Sequence, residues 1–167
     1  NRKGKGTKQN TKKTAKKKGD LTCDKPKSLR KEISDFCKHV AENSDAETLR
    51  IMKETTRDLI GAKVWENALS VGTHIPAFQL PDANRRRIQI MDFVSDKDYT
   101  VIIFYRGAWC PFCNMELMAY NRELECFQAE NVDVVAISPN LLDVSRMTKE
   151  MKNLEYTVLS DAKKIVA

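Results

Sequence analysis

Apolar residues recur at helical spacing from residue 29 onward. Leu29, Ile33, Phe36, Cys37 and Val40 line one face of a segment over 29–42, behind Ser28, which is placed to cap the first turn. The break at 43–45 leaves Asp45 as a second cap. Leu49, Met52, Thr56, Leu59 and Ile60 then give the inner face of a second helix, stopped by Gly61. Both helices are expected to pack against the domain on their C-terminal side. From residue 71 the pattern changes to short extended pieces. "VGTHIPAFQLPD" (71–82) carries Pro76 and Pro81, and "RRIQIMDF" (86–93) alternates around Ile88 and Ile90, so both read as edge strands. "YTVIIFY" (99–105) runs apolar without alternation after Thr100, as expected of a central strand covered on both faces, and "VDVVAIS" (132–138) reads the same way. Between them, residues 115–130 place Leu117, Tyr120, Leu124 and Phe127 on one face of a crossover helix. Strand, helix and buried strand predict a parallel βαβ unit with a right-handed crossover. A polar helix over about 142–153, a strand over 156–160 and the start of another helix at "DAKKIVA" complete an α/β pattern.

At 167 residues, 41% of them hydrophobic, the chain can form one domain with an appendage. Its net charge of +6 is unevenly placed: residues 1–18 hold nine Lys and Arg and no acid, which leaves the remainder at −3. With Ala15 as its only apolar residue, the segment 1–20 is predicted to be a disordered basic tail. Such a run could contact nucleic acid through residues 1–18, although a solvated tail is the plainer reading. Residues 21–70 then read as a helical extension and 71–167 as the principal domain. The first residue is Asn rather than Met, so a fragment or processed form is expected. No apolar run approaches the roughly 20 residues of a membrane span, so no membrane association is expected. Five cysteines at irregular spacing do not resemble a disulfide framework, and the reading is a reducing, cytoplasmic compartment.

The candidate chemistry is concentrated in "FYRGAWCPFCNMEL" (104–117). Cys110 falls just past a buried strand and before a helix, with Pro111 at the first helical position, where its missing N–H costs nothing. A thiol there meets unpaired backbone N–H groups and the positive end of the helix dipole, and both favour thiolate. Arg106, four residues earlier, adds a positive charge, and Trp109 flanks the pair. Cys110 is therefore read as the attacking sulfur. Cys113, one turn into the helix and expected to be more buried and less ionised, is the resolving thiol. Zinc would need two further ligands, and Cys23, Cys37, His39, His74 and Cys126 form no second pair with ligand spacing. Cys37 and Cys126 are assigned to packing, and no metal or cofactor is expected.

"FYRGAWCPFCNMEL", "VVAISPN", "YTVLSDAKKIVA" and "VGTHIPAFQLPDA" occur in an order that resembles the peroxiredoxin-like branch of the alkyl hydroperoxide reductase and thiol-specific antioxidant (AhpC/TSA) superfamily, over about residues 71–167. The resemblance implies a thioredoxin-like three-layer sandwich around a central mixed sheet, incomplete at its C-terminus. It also implies reduction of hydrogen peroxide or organic hydroperoxides. Cys110 would become a sulfenic acid, Cys113 would close a disulfide, and thioredoxin or glutaredoxin with glutathione would reopen it. The sequence departs from the family pattern at two places: Gly107 stands where a Thr or Ser precedes the reactive Cys by three residues, and Arg106 where a Pro is usual. "CPFC" is also the string of thioredoxins and glutaredoxins, so a thiol-disulfide oxidoreductase is the alternative. A non-catalytic thioredoxin-like module brought to a partner by its basic tail is a third reading.

Overall fold

Three parallel strands set the frame: β3 (Tyr99–Phe104), β4 (Val132–Ser138) and β5 (Thr157–Ser160), in the order β3-β4-β5. The computed structural model describes residues 28–166, so the predicted tail over 1–20 lies outside the described residues. β4 is the middle strand, as its apolar run predicted, whereas β3, whose 99–105 run reads the same way, lies at the edge of this three-stranded sheet. The last five residues of β4 are buried, whereas both ends of β3, Tyr99 and Phe104, are exposed. An apolar run thus identifies a strand without fixing its place in the sheet. β1 (Gln79–Pro81) and β2 (Arg87–Gln89) form an antiparallel hairpin, joined to β5 by the antiparallel bridge Asp82–Leu159. The expected second edge strand is shorter than its alternation implied, because the chain turns into the helix α3 (Ile90–Ser95) and buries Ile90 completely.

The period-2 geometry of the strands divides the core into two clusters. Ile103, Tyr105, Val134, Ala136 and Val158 face one side, where they meet Cys110, Cys113, Leu117 and Leu124. Val135, Ile137 and Leu159 face the other, against Leu80 and Ile90. The layers are therefore helices, sheet, and hairpin with α3. The expected single crossover helix is two: α4 (Pro111–Arg122) and α5 (Leu124–Ala129), separated at Glu123, whose ψ of 7° departs from helical geometry. Tyr120 and Phe127 still stack across the break, with ring centroids 5.6 Å apart. α6 (Leu142–Met151) precedes β5, and residues 161–166 form turns rather than the expected helix. There Asp161 accepts hydrogen bonds from the N–H groups of Ile165 and Val166, an alternative that draws the backbone away from a helical ladder.

The N-terminal helices form as predicted, as α1 (Leu29–Asn43) and α2 (Ala46–Gly61), and Asp45 caps α2 through Thr48 N–H at 2.8 Å. Ser28 makes no side-chain cap; its carbonyl alone accepts from the first turn of α1. α1 docks on α4 through a T-shaped contact of Phe36 with Phe112 (5.3 Å between centroids, 88° between planes) and through Arg122–Glu32 at 3.0 Å. The expected packing of α2 is not observed on its Met52, Leu59 and Ile60 positions, which are exposed. Among the described residues no helix is long and apolar enough to cross a membrane.

Candidate active site

Parallel strands deliver their C-terminal ends to one edge, and Cys110 sits there as the N-cap of α4, six residues past Phe104. The connecting loop is anchored at its start by Tyr105 N–H on Ile137 O (3.0 Å). It is closed at its end by a tight turn in which Cys110 N–H donates to Gly107 O at 3.1 Å. Asn114, in the first turns of α4, donates from Nδ2 to Ala108 O at 2.9 Å and ties loop to helix. Pro111 occupies the first helical turn as expected, so the helix opens with its free N–H groups directed at the capping side chain.

Three donors converge on Cys110 Sγ: the Cys113 thiol at 2.8 Å, the Cys113 backbone N–H at 3.4 Å and Arg106 Nη2 at 3.3 Å. Burial of the Cys110 thiol pushes its pKa up, but the hydrogen bonds from Cys113 and Arg106 outweigh it and hold the pKa below the ordinary thiol value. Cys113 is shifted the other way: burial raises its pKa, and its thiol is held protonated by donating to Cys110. The two sulfurs therefore divide one charge unequally, with the anion on Cys110. The expectation that Cys113 is the more buried is reversed, since Cys110 is 1% exposed and Cys113 9%. The N-cap position turns the Cys110 sulfur back over the helix end, beneath the loop, rather than out into solvent.

Arg106, read from the sequence as a positive charge near Cys110, and Trp109, named there only as a flanking residue, form one unit. The guanidinium carbon of Arg106 lies 4.9 Å from the centroid of the Trp109 ring. Gly107 has a steric reason to lack a side chain: a Cβ there would stand 2.6 Å from Trp109 Nε1, 2.9 Å from its Cδ1 and 3.1 Å from Asn140 Oδ1. Sequence reasoning missed Asn114 and Asn140 as parts of this loop's surroundings. Asn114 is legible in principle as a polar residue in the first turns of α4, but Asn140 reaches the loop only through sheet topology.

Of the remaining cysteines, Cys37 is free and exposed on α1, so it does not fill the packing role assigned to it. Cys126 is disulfide-bonded, which replaces its assignment to packing as a free thiol. Spacing along the chain hides such a bond, because its partner need not be near in sequence. Among the described residues no group of three or more His, Cys, Asp or Glu side chains is arranged to hold a metal ion.

A cysteine pair capping a helix at the carboxyl edge of parallel strands, with apolar clusters on both sheet faces, defines a thioredoxin-like α/β domain. The chain belongs to the AhpC/TSA family, whose model matches residues 71–167. The bcp protein of Buchnera aphidicola (subsp. Schizaphis graminum) is 32% identical over 99 residues, covering 59% of this chain and 61% of that protein. Peroxiredoxin Bcp of Escherichia coli is 27% identical over 95 residues, covering 57% and 60%. The crystal structure of peroxidoxin BcpB from Mycobacterium tuberculosis superposes with a TM-score of 0.54 at 26% identity, covering 57% of this chain and 61% of that one. The chain thus spans about three-fifths of the length of these curated relatives.

Proposed function

We propose that this chain carries the thiol centre of a peroxidase that reduces hydrogen peroxide or organic hydroperoxides. The Cys110 thiolate attacks the distal peroxide oxygen, the O–O bond breaks, and the leaving oxygen takes a proton and departs as water or alcohol. Cys110 is left as a sulfenic acid. The Cys113 sulfur then attacks the Cys110 sulfur, hydroxide leaves and is protonated to water, and a Cys110–Cys113 disulfide results. Two electrons and two protons from a dithiol reductant, thioredoxin or glutaredoxin with glutathione, restore both thiols. The observation that carries this reading is the unequal sulfur pair: Cys110 Sγ accepts from three donors, one of them the Cys113 thiol 2.8 Å away. Arg106 is the charge that favours the thiolate, Pro111 frees the helix end for it, and Trp109 shapes the loop above it.

In this reading residues 71–167 are the catalytic unit and 21–70 a helical extension. The basic run 1–18 is the segment available for nucleic acid, tested by loss of retention at low salt when 1–19 are deleted. The compartment is the cytoplasm, where a dithiol system keeps the pair cycling. The disulfide at Cys126 argues against that placement, since such bonds are rare in the cytosol. Alkylation before lysis, followed by mass analysis of the Cys126 peptide, decides between them.

Peroxide consumption by the reduced full chain tests the main reading. Second-order thiol loss much faster than that of free cysteine, absent in Cys110→Ser, supports it. The bare Gly107 beside Cys110 favours a second reading, thiol-disulfide exchange, because the loop there carries no side-chain hydroxyl to orient an oxygen substrate. Indifference to peroxide together with reduction of insulin or of a glutathione mixed disulfide establishes that reading instead. Inactivity toward all of these substrates leaves the non-catalytic module.

A further inference from the structure

We infer that Trp109 is the positioning residue of this site: its ring face holds the Arg106 guanidinium against Cys110 Sγ, and the absence of a side chain at Gly107 is what lets the ring stand there. The inference rests on the reading of Cys110 as the reactive thiolate.

Arg106 is solvent-exposed, and a long exposed side chain samples many rotamers. Something must restrict it to the one that places Nη2 3.3 Å from the sulfur. The usual anchor for an arginine is a carboxylate, yet among the described residues Arg106 has no acidic partner. Its other neighbour is the Trp109 ring, 4.9 Å away. The difference in anchor has a consequence. A carboxylate would cancel much of the positive field at the sulfur, whereas an aromatic face holds the cation without a compensating negative charge.

Trp109 is 68% exposed, so burial does not fix it. Two local features do. The turn closed by Cys110 N–H on Gly107 O brings the flanking Arg106 and Trp109 side chains to one side of the loop. The indole edge then lies over Gly107, where even a methyl group would stand 2.6 Å from Nε1. Ring position, arginine rotamer and sulfur charge are thereby linked in series. Among the described residues, the charged and titratable groups around Cys110 are Arg106 from the loop and Cys113 from α4, with Tyr105 and Tyr156 from the strand side of the same buried cluster. Among these described groups Arg106 is the fixed charge in contact with the sulfur, so its placement sets the field there.

The test is the pH dependence of Cys110 alkylation by iodoacetamide, read on the Cys110 peptide by mass spectrometry so that the exposed Cys37 does not contribute. Full-length wild type, Trp109→Leu, Trp109→Phe, Arg106→Leu and the Trp109→Leu/Arg106→Leu double variant are compared. Trp109→Leu is expected to raise the midpoint and slow alkylation near pH 6.5 by about 3- to 10-fold. Trp109→Phe, which keeps an aromatic face, is expected to stay within about twofold of wild type. The double variant is expected to be no slower than Arg106→Leu alone, because the ring acts only through the arginine. A Trp109→Leu midpoint equal to that of wild type, with Arg106→Leu displaced, overturns the role of Trp109 and leaves the proposed function standing. An ordinary thiol midpoint in wild type overturns both.

Discussion

The Sγ atoms of Cys110 and Cys113 lie 2.8 Å apart with the hydrogen bond running from Cys113 to Cys110, so one proton distinguishes two chemically identical side chains. The asymmetry originates in helix position. Cys110 is the N-cap and receives donors, while Cys113 is inside the first turn, with its backbone N–H already directed at its partner. A pair arranged this way has a preferred direction of attack, and substitution of each member is expected to have a different consequence.

Cys110→Ser is expected to abolish peroxide-dependent thiol oxidation. Cys113→Ser is expected to retain the first step and lose turnover, accumulating a sulfenic acid or a mixed disulfide on Cys110. Dimedone labelling of the Cys110 peptide, measured with and without a dithiol reductant, separates the two. Equal loss of the first step in both variants contradicts the assignment of roles. In Cys113→Ala, which deletes one of the three donors to Cys110 Sγ, the Cys110 alkylation midpoint is expected to rise toward the ordinary thiol value of about 8.5, whereas the Ser hydroxyl keeps a donor there.

Placing a side chain at Gly107 is expected to act through Trp109. Gly107→Thr forces the indole off the loop, since its Cβ alone would stand 2.6 Å from Nε1. The cost is expected to be about 1–3 kcal/mol whether or not the exposed ring swings clear, because the Gly107 φ of 158° is one that residues with a side chain rarely adopt. If the ring swings clear, Arg106 also loses its support and Cys110 reactivity near neutral pH falls. Urea unfolding reads the strain, and the alkylation rate reads whether the ring has moved. A Gly107→Thr protein unchanged in both measures shows that the ring and the residue beneath it are not linked.

Much of this arrangement was legible in the chain. The βαβ unit followed from two apolar runs separated by a length suited to a helix, and Pro111 located the helix start to the residue. Cys110 and Cys113 followed from that placement, because helix position alone dictates which sulfur meets free N–H groups. The less legible features depend on distance across the fold. β3 and β4 carry similar apolar runs, yet only β4 is central among β3-β4-β5, because strand order is not encoded in an apolar run. The break at Glu123 carries no Pro or Gly to announce it. Cys110 is covered more deeply than Cys113, which position along the helix alone does not predict. The exposed apolar positions of α2 show the converse: helical periodicity predicts an inner face whether or not a surface lies against it.

Asp82 gives the hairpin a measurable acid dependence. Its carboxylate is nearly inaccessible, which by itself raises its pKa. The Arg86 N–H and guanidinium and the Asn84 N–H outweigh that and hold it below the ordinary value. A carboxylate depressed in the folded state stabilises at pH above its unfolded value of about 3.9, and this contribution is lost as pH falls through the folded value. Asp82→Asn is therefore expected to destabilise near neutral pH by about 1–3 kcal/mol and to flatten the loss of stability below about pH 4. Urea midpoints at neutral and acid pH provide the check, and parallel curves for the two proteins would count against the linkage.

Phe36 tests whether α1 is a structural support or part of the chemistry. Its ring meets that of Phe112, the residue between Pro111 and Cys113, in a T-shaped contact 5.3 Å from centre to centre. Phe36 is only partly buried, so Phe36→Ala should cost less than a full core truncation, about 1–2 kcal/mol. The nearby Arg122–Glu32 pair is partly exposed and is expected to add little, so it will not hold α1 in place alone. Hydrogen exchange is expected to speed up along α1 in the variant and to remain slow in β4. Because Cys113 is held by the first turn of α4 and Phe112 still packs against the cluster of Cys110 and Cys113 when Phe36 is removed, Cys110 alkylation is expected to stay within about twofold of wild type. A larger change shows that α1 sets the geometry of the cysteine pair, and the helical extension then belongs to the catalytic unit rather than beside it.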